Sequence, residues 1–177
     1  MKTALTYDDV LLLPQYSDIK SRKEVDIGND LDDKIHLDLP IISSPMDTVT
    51  ESAMANVMYK LGGIGHHILV ERAIKTLKDL FGNTVHIMAG NVATREAFDA
   101  LSDWGADSIR CNIGGGSICS TRIQTGHGLP GLQTIIDCSK SDRKTKIIAD
   151  GGIKSSGDIV KALAAGADFV MLGSMLA

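Results

Sequence analysis

The sequence predicts an α/β fold in which parallel strands are covered by helices. Three observations carry that prediction. Short apolar runs alternate with helical patterns over most of the chain, and strand–helix–strand repetition is how parallel strands are connected. Runs such as Phe169–Leu172 are apolar at every position, as strands covered on both faces are. Nearly every run also ends in small or polar residues: Ser43-Ser44-Pro45-Met46-Asp47, Gly90-Asn91, Gly114 to Ser117, Asp150-Gly151-Gly152 and Gly173-Ser174.

The elements follow in order. Residues 1–38 carry many charges around two apolar pieces, 10–13 and 34–37, and read as an extended arm and hairpin ahead of the repeats. Strands are expected at 39–43, 63–68, 85–89, 108–113, 146–149 and 169–172, each a short apolar run. Helices are expected between them at 51–61, 71–81, 95–104, 132–137 and 156–165. The last is the best delimited, because Ser155-Ser156-Gly157-Asp158 offers an N-terminal cap and Gly166 a C-terminal stop. No linker, low-complexity tract or second domain is visible, so residues 1–177 read as one domain.

Composition bounds the function. A chain of 177 residues is long enough for a proper core. Its apolar content of 44% and charged content of 23% are those of a globular protein. A net charge of −4 argues against nucleic-acid binding, which uses a basic stripe. No apolar stretch approaches the roughly 20 residues of a membrane helix, and Asp8 and Asp9 interrupt any signal peptide. The three cysteines, Cys111, Cys119 and Cys138, suit a reducing cytoplasm. Their spacing is not that of a zinc site.

Residues 114–122, Gly-Gly-Gly-Ser-Ile-Cys-Ser-Thr-Arg, are the densest chemical signal. Such a backbone can turn N–H groups toward a phosphate or carbonyls toward a metal ion. Cys119 at its rim is a candidate nucleophile, since positive potential favours the thiolate. An incidental cysteine beside a Gly-Ser loop has the same composition. In parallel α/β folds ligands bind beyond the carboxyl ends of the strands. Three glycine-rich ends, 114–117, 151–152 and 173–174, can converge there on one phosphate, and Asp150 can accept from two sugar hydroxyls.

Further stretches add specificity: Leu5-Thr6-Tyr7-Asp8-Asp9-Val10-Leu11-Leu12, Ser43 to Glu51, Ala89-Gly90-Asn91-Val92-Ala93-Thr94, Gly116-Ser117-Ile118-Cys119, Ala149-Asp150-Gly151-Gly152-Ile153 and Val170-Met171-Leu172-Gly173-Ser174. In this order they resemble the IMP dehydrogenase/GMP reductase family of (β/α)-barrel purine-nucleotide oxidoreductases. The resemblance implies that Cys119 attacks C2 of the purine, with Thr121 close to that chemistry. It implies that Ser117, Gly152, Gly173 and Ser174 hold the 5′-phosphate, that Gly151 is also substrate-binding, that Asp150 binds the ribose, and that Ser44 and Met46 flank the nucleotide. Asn91 would lie near the nicotinamide or the reacting base, and Asn112 beside the nicotinamide. The carbonyls of Gly114, Gly116 and Cys119 would hold a monovalent cation, K+ in the dehydrogenase branch. The implied cofactor is NAD, or NADPH in the reductase, and the implied assembly is a cytoplasmic tetramer or completion by a longer chain.

Direction rests on finer features. Residues 44–51 and Gly62-Gly63-Ile64-Gly65 are similar to the dehydrogenase, which converts IMP to XMP. Residues 21–26 and Thr125-Gly126 are similar to the reductase, which converts GMP to IMP and ammonia. A regulatory insert is absent. A nucleotide-binding or interaction remnant without turnover is the further alternative.

The departures are equally specific. Between 68 and 85 there is room for one helix only, where the family pattern calls for a further helix and a third strand. His66-His67 lies at that seam and reads as a splice-side pair, not as ligands. Phe169–Leu172 reads as the seventh strand, with the eighth strand, a mobile flap and a C-terminal acidic residue lacking. Asn112 stands where glycine is usual and Gly115 where proline is common. The expected architecture is a (β/α)8 TIM-barrel type that is incomplete in this span, with about six of eight strands.

Overall fold

In the computed structural model, residues 3–13, 15, 19, 21–43, 66–116 and 128–176 are described. A short antiparallel hairpin, β1 (Asn29–Asp30) and β2 (His36–Leu37), precedes five strands that alternate with helices. These are β3 (Ile41–Ser43), α1 (Ile68–Phe81), β4 (Met88–Val92), α2 (Arg95–Trp104), β5 (Ser108–Cys111), α3 (Gly131–Cys138), β6 (Lys146–Asp150), α4 (Ser156–Ala164) and β7 (Phe169–Leu172). The sheet runs β3-β7-β6-β5-β4 with every pair parallel.

The pairing of β3 with β7 changes the strand count. Ile41, Ile42 and Ser43 lie in register with Val170, Met171 and Leu172. In a closed (β/α)8 barrel the strand beside the first is the eighth. Residues 169–172 therefore hold the closing position and not the seventh, so among the described residues the break in the sheet falls in one gap between β3 and β4. Of the expected strand at 63–68, residues 63–65 lie outside the described residues, and His66 and His67 form a bend and not a strand. Its last residue, Ile68, instead opens α1, whose N-terminus is capped by His67 accepting from the Leu69 N–H. The expected helix at 51–61 lies outside the described residues.

Alternation along each strand sorts the two faces. Ile109, Cys111, Ile147, Ala149, Val170 and Leu172 face the helices, in one cluster with Phe98, Leu101, Ile135 and Ala162. Ile148, Phe169 and Met171 face the lumen and pack with Leu31 of the N-terminal hairpin, which plugs the amino-terminal end of the sheet. A hydrogen-bond chain holds that plug. His86 bonds to Asp32 at 2.7 Å through Nδ1 and to the Ser108 hydroxyl at 2.8 Å through Nε2. The expected arm also packs home, with Tyr7 buried in the helix-side cluster and the Lys161 ammonium donating to its carbonyl. Burial, and secondarily Asp158, pushes the Tyr7 phenol up to about 12.

Two strands are started by the same tripeptide. Gly105-Ala106-Asp107 precedes β5 and Gly166-Ala167-Asp168 precedes β7. Asp107 accepts from the Ile87 N–H at 2.7 Å and from Lys78, and Asp168 accepts from the Ile147 N–H at 2.8 Å and from Lys146. Each carboxylate thus fastens its own strand to the preceding one. This also explains why the strand expected at 85–89 begins at Met88 and continues to Val92: Val85 is exposed, and the ladder starts just past the Asp107–Ile87 contact.

Candidate functional site

The carboxyl ends of β4, β5 and β6 bring three polar side chains together. The Asn91 amide donates to Asp150 Oδ2 at 2.8 Å and to the Asn112 carbonyl at 3.0 Å. The Asn112 amide donates to the carbonyls of Asp150 at 2.9 Å and Gly151 at 3.2 Å. Arg110, on the lumen face of β5, lies 3.9 Å from Asp150 Oδ2. One carboxylate oxygen of Asp150 is thereby held in place. Its other oxygen has no hydrogen-bond partner among the described residues, which suits an acceptor for sugar hydroxyls.

The glycines close the same corner. A Cβ on Gly151 would stand 3.0 Å from the Gly116 nitrogen, and one on Gly152 3.2 Å from the Gly115 oxygen. Both residues also have φ near +80°, at 83° and 79°. The ends of β5 and β6 thus meet backbone to backbone, which only glycine allows. Gly173 and Ser174 follow β7 at this end of the sheet.

Of the residues expected from sequence, Asn91, Asn112, Gly114, Gly116, Asp150, Gly151 and Gly152 are thus gathered at one end. Ser44, Met46, Ser117, Cys119 and Thr121 lie outside the described residues. Arg110 was not anticipated. Its signal was the alternation of 108–111, which sets it with Ser108 opposite Ile109 and Cys111. His66 and His67, read as non-ligands, pack near Trp104 and cap α1 respectively.

Two cysteines lie in the core. Cys111 and Cys138 are fully buried against one another, and burial, with Cys138 beside it, pushes the Cys111 thiol well up. Among the described residues no group of three or more His, Cys, Asp or Glu side chains is placed to hold a metal ion. Nor is any described helix long and apolar enough to cross a membrane.

The sequence profile of the IMP dehydrogenase / GMP reductase domain matches residues 4–69 and 65–177. The chain belongs to the IMP dehydrogenase / GMP reductase family. A GMP reductase of Leishmania major is 51% identical over 116 residues, covering 64% of this chain and 24% of that protein. An inosine-5′-monophosphate dehydrogenase of Cryptosporidium parvum is 33% identical over 271 residues, covering 98% of this chain and 68% of that protein. The crystal structure of inosine 5′-monophosphate dehydrogenase from Legionella pneumophila superposes with a TM-score of 0.85 at 42% identity, covering 99% of this chain and 70% of that one. The chain therefore spans about a quarter of the Leishmania relative's length, at 24%.

The family match also locates the gap. Its two segments overlap at 65–69, across His66-His67. An alignment of 271 residues against a chain of 177 leaves part of the Cryptosporidium protein without a counterpart here. Both agree with missing strands between β3 and β4. The barrel of this family is incomplete in this span.

Proposed function

We propose that this span is the nucleotide-binding barrel domain of a cytoplasmic purine-nucleotide oxidoreductase that converts IMP to XMP. The observation that carries the reading is the fixed Asp150 carboxylate beside the apposed glycine turns 114–116 and 151–152. One oxygen of Asp150 takes the ribose hydroxyls. Backbone N–H groups at 151–152 and 173–174, with Ser117 and Ser174, take the 5′-phosphate. Ser44 and Met46 flank the base. The Cys119 thiolate adds to C2, hydride departs from C2, and water then cleaves the bond to sulfur and releases XMP, with Thr121 adjacent. NAD, when bound, supplies the hydride acceptor.

The donor set fits a monovalent cation as well. Gly114 and Gly116 offer backbone carbonyls, as would Cys119, and Asn112 Oδ1 is a neutral oxygen, buried and without a partner among the described residues. Neutral oxygens of this kind replace the hydration shell of K+.

A second reading is the reductase direction, from GMP to IMP and ammonia with NADPH. It is favoured by the Leishmania relative, whose name is GMP reductase. Both directions use the same nucleotide contacts, and in both a tetramer is the expected assembly.

Thiol alkylation with peptide mass analysis tests the reading. IMP or GMP should protect Cys119 selectively, while Cys111 and Cys138 stay unmodified in the folded chain. The protecting nucleotide is then assayed at 340 nm, IMP with NAD or GMP with NADPH. Protection without turnover would identify a binding module lacking the groups that move the proton. Indifference of Cys119 to both nucleotides would refute the reading.

A further inference from the structure

Asn112 and Gly115 are both departures from the family pattern, and the structure joins them. Asn112 has φ of +130°, a backbone setting that favours glycine. It is nonetheless 3% exposed, with its side chain turned inward. A Cβ on Gly115 would collide with Asn112 Nδ2, and one on Gly131 would stand 2.9 Å from the same nitrogen. That nitrogen bonds to the carbonyls of Asp150 and Gly151. The carboxamide therefore fills the space between two glycines and ties the end of β5 to the end of β6. The strained backbone persists because those two bonds offset it.

We propose that Asn112 is a positioning residue for Asp150 and the 151–152 turn, and that Gly115 is the residue that makes room for it. The two substitutions form a matched pair: glycine at 112 leaves space for a side chain at 115, and asparagine at 112 removes it. Gly115 itself has no left-handed φ to protect, since its φ lies outside the positive range. An alanine there is resisted by Asn112 and not by the backbone. The nucleotide part of this inference rests on the function proposed above, and the pairing part does not.

A double-mutant cycle in the full chain separates the two. G115A should lower the thermal midpoint by about 5 °C in the Asn112 background and by about 1 °C or less in the N112G background. If G115A alone does not fold, recovery of folding in N112G/G115A supports the pairing, and failure of the double variant overturns it. Equal losses in both backgrounds also overturn it. For positioning, N112G should weaken IMP binding about tenfold, measured by calorimetry, with the midpoint moved by about 2 °C or less, and N112D should weaken it at least as far with a larger midpoint loss, because its carboxylate would face the carbonyls of Asp150 and Gly151. Unchanged IMP affinity in both variants would overturn the positioning role. If the parent chain binds neither IMP nor GMP, the functional reading fails and the positioning of a nucleotide site fails with it, while the unfolding cycle still decides the pairing.

Discussion

On the proposed function, Asp150 serves a ligand because other residues hold it. Asn91 fixes one oxygen at 2.8 Å and leaves the other without a partner among the described residues, so on the proposed function Asp150→Ala and Asn91→Ala should differ in kind. The first removes the acceptor and should abolish measurable IMP binding. The second leaves the acceptor but frees it to rotate, and should weaken binding about tenfold. Titration calorimetry on both variants checks this, and equal losses would mean Asn91 touches the ligand directly. At this scale the sequence showed the glycine turns and Asp150, because three glycine-rich ends in one parallel sheet are more than turning alone requires. Arg110 and the Asn112–Gly115 pair were not legible. One is a single charge in an apolar run, and the other is a spatial fit between side chain and missing side chain.

Elements are delimited by small polar devices, and one of them titrates. Ser155 and Asp158 form a reciprocal cap on α4, with Asp158 accepting from the Lys154 and Ser155 N–H groups. Burial works to raise the Asp158 carboxyl. The Lys154 N–H, the Ser155 hydroxyl and the Lys161 ammonium outweigh that and hold it below its ordinary value of 3.8. A carboxylate with a lowered folded pKa contributes stability above its unfolded pKa, and that contribution is lost as pH falls through the folded value. Thermal midpoints measured from pH 6 to pH 2 (about the range that spans both values) should show a decline below the unfolded pKa that Asp158→Asn reduces. An unaltered decline would assign it to other carboxylates. Ser155→Ala should cost about 1 kcal/mol in denaturant unfolding. Asp107→Ala should cost more, about 2 kcal/mol, because it removes a charged partner of both Lys78 and the Ile87 N–H. The α4 cap was readable from the chain. The twin Gly-Ala-Asp starts were not, since their effect is on the neighbouring strand.

The strand order of the whole sheet could not be read from motif order alone. Counting motifs assigns ordinal positions only when no strand is skipped, and here the skipped strands lie ahead of β4. Pairing across the sheet settles it, because β7 bonds to β3 and takes the closing position. The consequence is a sheet with its weakness in one place. β5, β6 and β7 each have a strand on both sides, whereas β3 and β4 are the two edges of the described sheet. α1, which leads into β4, leaves Leu80 at 69% and Phe81 at 47% exposure. Local opening should therefore begin at this gap and not spread evenly. Amide hydrogen exchange followed by mass spectrometry should find β6 the slowest, with β3 and β4 exchanging at least about tenfold faster. Protection of β3 and β4 equal to that of β6 would mean that another strand, from residues 44–65 or from a second chain, covers both edges. Repeating the experiment over a range of protein concentrations separates those sources, because only a strand from a second chain gives protection that depends on concentration.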